Sequence, residues 1–281
     1  MRTKPTGTRR LEDWPPMLKF LRATRHMKEL RAEIERFEAS NAAIVVAEFK
    51  PKRPGHDFRY MIQKPVPSHI GPIIGDVVSN LRSSLEHVVT ELTITNVGHE
   101  LEGTAFPVCT TRQAWDQVSK KAGTFAPNTG RYKLRGVPYR ALLLIRKNQP
   151  FRWKRYQRNA LWMLDELWNI DKHRGVHLTT TAPLSASVSF EHPDSVQILR
   201  RWFMQGRPQT RPKNSQIVGR TTYSAGTLEG DVRVNVTVES KVIFQESAAG
   251  LRGPVLNALD ALLDFTMTVI AALARFDKTV V

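Results

Sequence analysis

Apolar residues recur at three- and four-residue intervals in four long stretches of the chain and alternate with polar ones elsewhere. These two periods divide it into helical and extended segments. The first stretch, 13–40, sets Met27, Leu30, Ile34 and Phe37 on one face and Lys28, Arg31, Glu35 and Arg36 on others. Pro15 and Pro16 suit its first turn, where no intrahelical amide bond is lost. Residues 42–49 and 57–64, AAIVVAEF and DFRYMIQK, are joined by the turn-rich KPKRPGH and predict a β-hairpin. The second helical stretch, 72–96, has the stripe Ile74, Val77, Val78, Leu81, Leu85, Val88, Val89 and Leu92. Short helices are predicted over 112–122 and 137–147, in a region punctuated by Gly and Pro.

The third long stretch, 151–176, is apolar on much of its circumference (Ala160, Leu161, Trp162, Met163, Leu164, Leu167, Trp168, Ile170), which predicts a central position. Residues 177–248 change period. VRVNVTVESKVIF alternates with period two, LSASVSF, VQILRRWFM and SQIVGRTTY read as companion strands, and RPQTRPKNS reads as a solvated loop. A fourth helix, 254–276, presents Val255, Leu259, Leu262, Leu263 and Ile270 on one face.

Together these elements predict an α+β fold. It comprises a four-long-helix bundle, a β-hairpin after the first helix, and a larger antiparallel β insert between the third and fourth. In this arrangement 1–281 is a single composite domain, with a helical bundle core from 13–176 and 254–276 and the insert at 177–248. The alternative is a helical domain followed by a separate β domain from about residue 177, which leaves the apolar face of the last helix without a partner.

Charge changes the picture. Lys and Arg number 42 against 26 acids, a formal net charge of +16, and such a field attracts polyanions, nucleic acid first. The asymmetry is regional: between Asp116 and Asp165 lie 48 residues without one Asp or Glu. That span holds Lys120, Lys121, Arg131, Lys133, Arg135, Arg140, Arg146, Lys147, Arg152, Lys154, Arg155 and Arg158. Tyr132, Tyr139, Phe151, Trp153 and Tyr156 are interleaved with them. Cations for phosphates beside flat rings for unstacked bases suit a single strand or an RNA loop.

A lone cysteine, Cys109, excludes an intrachain disulfide and any multi-cysteine zinc site. The N-terminal residues lack the apolar core of a signal peptide, and the best apolar run, 258–274, is broken by Asp260, Asp264 and two threonines. The expectation is a cytoplasmic protein with no membrane partner.

Two polar segments sit on otherwise apolar helices: Asn80 to His87 and Asp165 to Arg174. At about 100° per residue, Asn80, Ser84 and His87 share one face, and Trp162, Glu166, Asn169 and His173 share another. Asp171 falls in the row of Ala160, Met163, Leu164 and Leu167. There a carboxylate needs a counter-charge, from Arg82 or Arg174. Glu166, Asn169 and His173 then line a pocket opposite His87, with Lys172 and Arg174 gripping phosphate. Glu166, His173 and His87 offer too few carboxylates for a metal site, so no metal and no cofactor are expected.

Arg82 and His87, in LRSSLEH, form an Arg-x4-His pattern on a helix, and in this the chain resembles the HEPN superfamily, whose members are often all-helical ribonucleases. The segments LRSSLEH and IDKHR also resemble hallmarks of an uncharacterised bacterial and phage-associated family, over about residues 25–180. The HEPN resemblance implies a metal-independent endoribonuclease of toxin or phage-defence type. His87 is then the general base on the ribose 2′-hydroxyl and Arg82 stabilises charge on the scissile phosphate, leaving a cyclic phosphate. It also implies a site formed across a homodimer. Arg82 and His87 are five residues apart, about 140° around a regular helix, so they meet at one phosphate only through a bent helix, a long arginine reach or a second subunit. Two other readings stay open: a non-catalytic nucleic-acid-binding protein in which Arg82 pairs with Asp171 to hold the bundle, and an interaction or scaffold protein docking through its sheet. Walker, dinucleotide-binding, His-Glu-x-x-His and Gly-x-Ser-x-Gly motifs are absent from the sequence.

Overall fold

A computed structural model describes residues 7–119, 123–180, 185–203, 216–239, 241–244 and 253–281. The predicted loop 207–215, and Lys120, Lys121 and Ala122 at the end of a predicted helix, lie outside the described residues. The chain runs α1 (Pro15–Glu38), β1 (Ala43–Phe49), β2 (Gly55–Ile62), α2 (Ile70–Val97), α3 (Arg112–Asp116), α4 (Gly130–Lys133), α5 (Tyr139–Lys147) and α6 (Ala160–Arg174). It continues through β3 (Leu178–Thr180), β4 (Ser185–Glu191), β5 (Ile198–Phe203), β6 (Gln216–Tyr223), β7 (Arg233–Glu239), β8 (Val242–Phe244) and α7 (Val255–Ala274).

The α+β mixture is present, but the four-long-helix bundle is not what forms. Seven α-helices are present among the described residues, and the third long helix is much shorter than its apolar run. Two 3-10 turns, Pro150–Arg152 and Tyr156–Arg158, occupy its predicted first third. The α-helix begins only where the Asn159 side chain accepts from the Trp162 amide at 3.1 Å. Residues 152–155, 157 and 158 are exposed, and the cap decides where the helix starts.

The central helix is α2, not the third stretch. It packs against α1, α6 and α7. Its residues Ile74, Val77, Val78, Leu81, Leu85, Val88, Val89 and Leu92 are buried, as are the polar Arg82, Ser84, Glu91, Thr93 and Thr95. It ends at Gly98, whose φ of 98° lets its N–H reach the Ile94 carbonyl at 2.8 Å. By contrast α6 buries one narrow stripe, Leu161, Leu164, Leu167 and Ile170. The last helix, α7, has a mean hydropathy of 1.6 and is the one described helix long and apolar enough to cross a membrane. Its Val255, Leu259, Leu262, Val269, Ile270 and Leu273 side chains lie in the helical core.

The β segments divide differently from the predicted hairpin and separate insert. β1 and β2 pair as expected, but β2 also pairs with β6, and β6 with β5, giving one antiparallel sheet in the order β1-β2-β6-β5. The β4–β7 ladder contributes Val188, Phe190, Val234 and Val236 to a second apolar cluster with Phe58, Tyr60 and Val218 of that sheet. The β3–β8 ladder joins the helical core through Leu178, Val242 and Phe244. Long-range pairing of this kind leaves no local trace in the sequence.

Near the two ends of the chain, Asp277 is 1% exposed. It accepts from Trp14 Nε1 at 3.0 Å, Thr95 Oγ1 at 3.0 Å, Arg9 Nη2 at 3.1 Å, and the Thr279 amide and hydroxyl at 2.9 and 2.7 Å. Arg9 also reaches Glu91 of α2 at 2.5 Å. Replacing the carboxylate strands several buried donors. Asp277→Ala is expected to cost about 3–5 kcal/mol in urea unfolding; a loss below about 1 kcal/mol would show that the donors find water instead.

Candidate functional site

The polar residues of α2 and α6 meet around one guanidinium. Arg82 is 8% exposed and makes a different set of contacts from the predicted pair. Its Nε donates to Asp165 Oδ1 at 3.1 Å, its Nη1 is in contact with Glu86 Oε1, and its Nη2 donates to the Phe106 carbonyl at 3.0 Å. Its Cζ stands 5.6 Å from the centre of the Trp168 ring. Glu86 Oε2 in turn accepts from the Phe106 amide at 2.6 Å, so Arg82 and Glu86, one helical turn apart, hold both main-chain groups of one residue.

Gln149 repeats the device from the other side. It is fully buried, accepts from the Cys109 amide at 2.9 Å and donates to the Pro107 carbonyl at 2.8 Å. The Phe151 amide donates to the Cys109 carbonyl at 3.0 Å. Residues 106–109 belong to no sheet, and Pro107 has no N–H to give to one. Side chains satisfy peptide groups that would otherwise be buried unpaired. The thiol of Cys109 packs in the helical core, and burial pushes its pKa up to about 11.

Asp171 pairs with neither Arg82 nor Arg174, against expectation. The wheel places it beside the core stripe, but the stripe stops at Ile170 and the last turn of α6 runs past the core. Its half-buried carboxylate lies against Gly75 of α2, where any Cβ would collide with it. There it lines a cleft of about 470 Å³ with Asp76, Ser79, Arg174 and His177. Burial first, and then the Asp76 charge, raise its pKa. The residue opposite Arg82 is Asp165, six positions earlier. Asp165 and Glu86, the acids that serve Arg82, were not singled out in sequence; the Arg82–Glu86 spacing of four was the available signal.

The other predicted residues scatter. His87 is half-exposed on α2, which is helical throughout Ile70–Val97, so no break brings it to the Arg82 side of the helix. Asn169 is exposed and reaches Asp165 Oδ2 at 3.5 Å. Glu166 is half-buried, and Lys172 and His173 are exposed, with Lys172 Nζ 5.2 Å from the Trp168 ring centre. Arg82, Asp165, Trp168, Asn169 and Lys172 thus form one cluster, while Asp171 and Arg174 face the cleft. Among the described residues no three His, Cys, Asp or Glu side chains are grouped to hold a metal ion.

The acid-free span separates into structural and solvent-facing cations. Arg135 donates to the carbonyls of Glu102 and Tyr132 and lies 4.0 Å from the Tyr132 ring centre, and Arg131 sits over Phe125 at 4.8 Å. Lys133 is half-buried. By contrast α5 buries Ala141, Leu142 and Ile145 and turns Arg140 and Lys147 to water, with Arg146 half-exposed. Beyond it Arg152, Lys154, Arg155 and Arg158 are all exposed, around Trp153 at 54% and with Tyr139 at 67%. None of these solvent-facing cations makes an ion pair among the described residues. Six residues span at most about 20 Å of extended chain, so Arg152, Lys154, Arg155 and Arg158 lie within that distance of one another and of Trp153.

No protein-family model matches the chain, and no curated protein or solved structure is significantly similar to it.

Arg82→Ala strands two carboxylates and a carbonyl and is expected to destabilise by about 3–5 kcal/mol, with Arg82→Lys recovering only part because an ammonium cannot span the fork. Urea unfolding of both variants checks this, and a neutral Arg82→Ala would overturn it. At the cleft, a raised pKa means the folded protein disfavours the ionised Asp171, so neutral Asp171→Asn is expected to raise the melting temperature at pH 7. The gain should shrink as pH falls and wild-type Asp171 takes up its proton. Lower stability of the variant at both pH values would contradict the assignment.

Proposed function

We propose that this chain binds single-stranded nucleic acid, RNA in the first instance, without cleaving it, through the surface between Tyr139 and Arg158. The observation that carries this reading is the exposed Trp153 set among four exposed cations, Arg152, Lys154, Arg155 and Arg158, with no carboxylate nearby in sequence to neutralise them. An indole left in water is costly unless something covers it, and a base is a sequence-independent cover. The cations beside it fit the phosphates that accompany that base, and the overall charge of +16 favours their approach.

The ribonuclease reading asks Arg82 to act on a phosphate and His87 to share it. Arg82 already serves two carboxylates and a carbonyl in a buried setting. This favours binding over catalysis.

Fluorescence anisotropy with a labelled 20-nucleotide oligo(U), and oligo(dT) beside it, tests the proposal. The Lys154→Glu/Arg155→Glu/Arg158→Glu variant is expected to weaken binding at least about 100-fold near 0.1 M salt, and to flatten the log K against log salt slope by about 2. Trp153→Ala is expected to cost about 1–3 kcal/mol with the slope nearly unchanged. Binding that ignores both changes overturns the site. Incubation with mixed RNA in excess EDTA should leave the RNA intact; cleavage that disappears in His87→Ala would restore the enzyme.

A further inference from the structure

The four-stranded sheet has an inner face and an outer one, and only the inner face is accounted for by packing. Phe203 of β5 points inward, 4.9 Å ring to ring from Phe58, over Gly219, where a Cβ would collide with it. Its neighbour Trp202 therefore points outward, 43% exposed. Pairing register sets the row beside it: Trp202 opposite Arg220, Arg220 opposite Asp57, and Asp57 opposite Glu48. Two residues before Trp202 on the same face is Arg200, opposite Thr222.

The charges on this face are unevenly matched. Asp57 holds Arg220 through two bonds of 2.5 and 3.2 Å, which fixes the guanidinium while leaving its side chain 39% exposed. Glu48 is shared between Lys50 at 2.5 Å and Arg59 at 3.0 Å. Arg200 is exposed and makes no ion pair among the described residues, and the exposed Arg53 stands at a recess of about 280 Å³ beside Arg220 and Thr222. A flat exposed indole thus adjoins a fixed guanidinium and an uncompensated one.

We infer that the outer face of the sheet is a second contact surface for single-stranded nucleic acid, with a base stacked on Trp202 and adjoining phosphates met by Arg200 and Arg220. Residues two apart on a strand are about 6.6 Å apart, so one base and its flanking phosphate fall within reach of Trp202 and Arg200 together. An acidic peptide would match the arginines but leave the indole uncovered, whereas a nucleotide matches both. Asp57 is a positioning residue, acting through Arg220. The inference extends the binding proposed above to a second element of the fold and rests on that reading for the class of ligand.

The test uses the full chain and a 20-mer oligo(U) carrying 4-thiouridine. Irradiation followed by peptide mapping is expected to place crosslinks at β5 as well as near Trp153. Arg200→Ser/Trp202→Ala is expected to weaken binding about tenfold and to flatten the salt slope by about 0.7, the share of one cation. Trp202→Phe should restore most of the affinity, which a merely structural role for the side chain would not require, and the unfolding midpoint should be unchanged. If the sheet variant binds as wild type and no crosslink maps to β5, while the Lys154→Glu/Arg155→Glu/Arg158→Glu variant is weakened, the inference falls and the helical surface stands. If only the sheet variant is weakened, the inference stands and the helical surface falls. A wild-type chain that binds neither oligo(U) nor oligo(dT) overturns both.

Discussion

A guanidinium nearly closed off from water must have its donors satisfied, and the helical half of this protein is arranged around that demand. Arg82 lies on the central helix, and its three nitrogens reach a carboxylate one turn on, a carboxylate on another helix and a main-chain carbonyl of the loop that follows α2. Each partner belongs to a different part of the chain. The ion cluster therefore does more than offset its own desolvation: it sets the register of α6 on α2 and anchors residues 106–109 between them. Since Gln149 ties the other side of that segment, the basic stretch after it is carried on a backbone held at both edges.

This explains how a strongly charged surface stays uncompensated. The acids nearest in sequence to the basic span are Asp116, paired with Arg112, and Asp165, engaged by Arg82. Neither is at liberty to neutralise Arg152, Lys154, Arg155 or Arg158. Among the described residues of the span, Arg135 donates to carbonyls and Arg131 lies over a ring, whereas Arg140 and Lys147 of α5 and Arg152, Lys154, Arg155 and Arg158 beyond it are turned to water. Local amphipathicity and capping thus separate structural from available charge, a distinction that composition cannot make.

The helices were legible in the sequence to the extent that periodicity defines them. The stripe of α2 from Ile74 to Leu92 is buried as its spacing requires, and α1 and α7 fall within a few residues of their predicted limits. What was not legible depended on partners distant in sequence. The pairing of β2 with β6 joins residues about 160 positions apart, and no alternation pattern distinguishes it from two separate sheets. The counter-ion of Arg82, expected to be Asp171, is Asp165 for a similar reason. Asp165 and Asp171 both flank the apolar stripe of α6, and the choice between them depends on how far α6 extends past α2, which a helical wheel does not encode. Gly75 was the local clue, because a glycine in an otherwise β-branched helix leaves room for the Asp171 carboxylate against the backbone.

Magnitudes decide between the structural and the catalytic role of Arg82. A hydrogen bond to a charged group nets about 1.5–3 kcal/mol, which bounds what one phosphate contact returns. Withdrawing the guanidinium to reach that phosphate leaves Glu86 and Asp165 without their cation, and breaking a buried pair costs about 3–5 kcal/mol. The phosphate would have to approach two carboxylates that become repulsive once the arginine turns away. On the exposed segment around Trp153 no such exchange is required, since the side chains there give up only water. A polyanion therefore gains most from the surface where the fold has left charge unmatched, and least from the cluster where the cation already serves two carboxylates and a carbonyl.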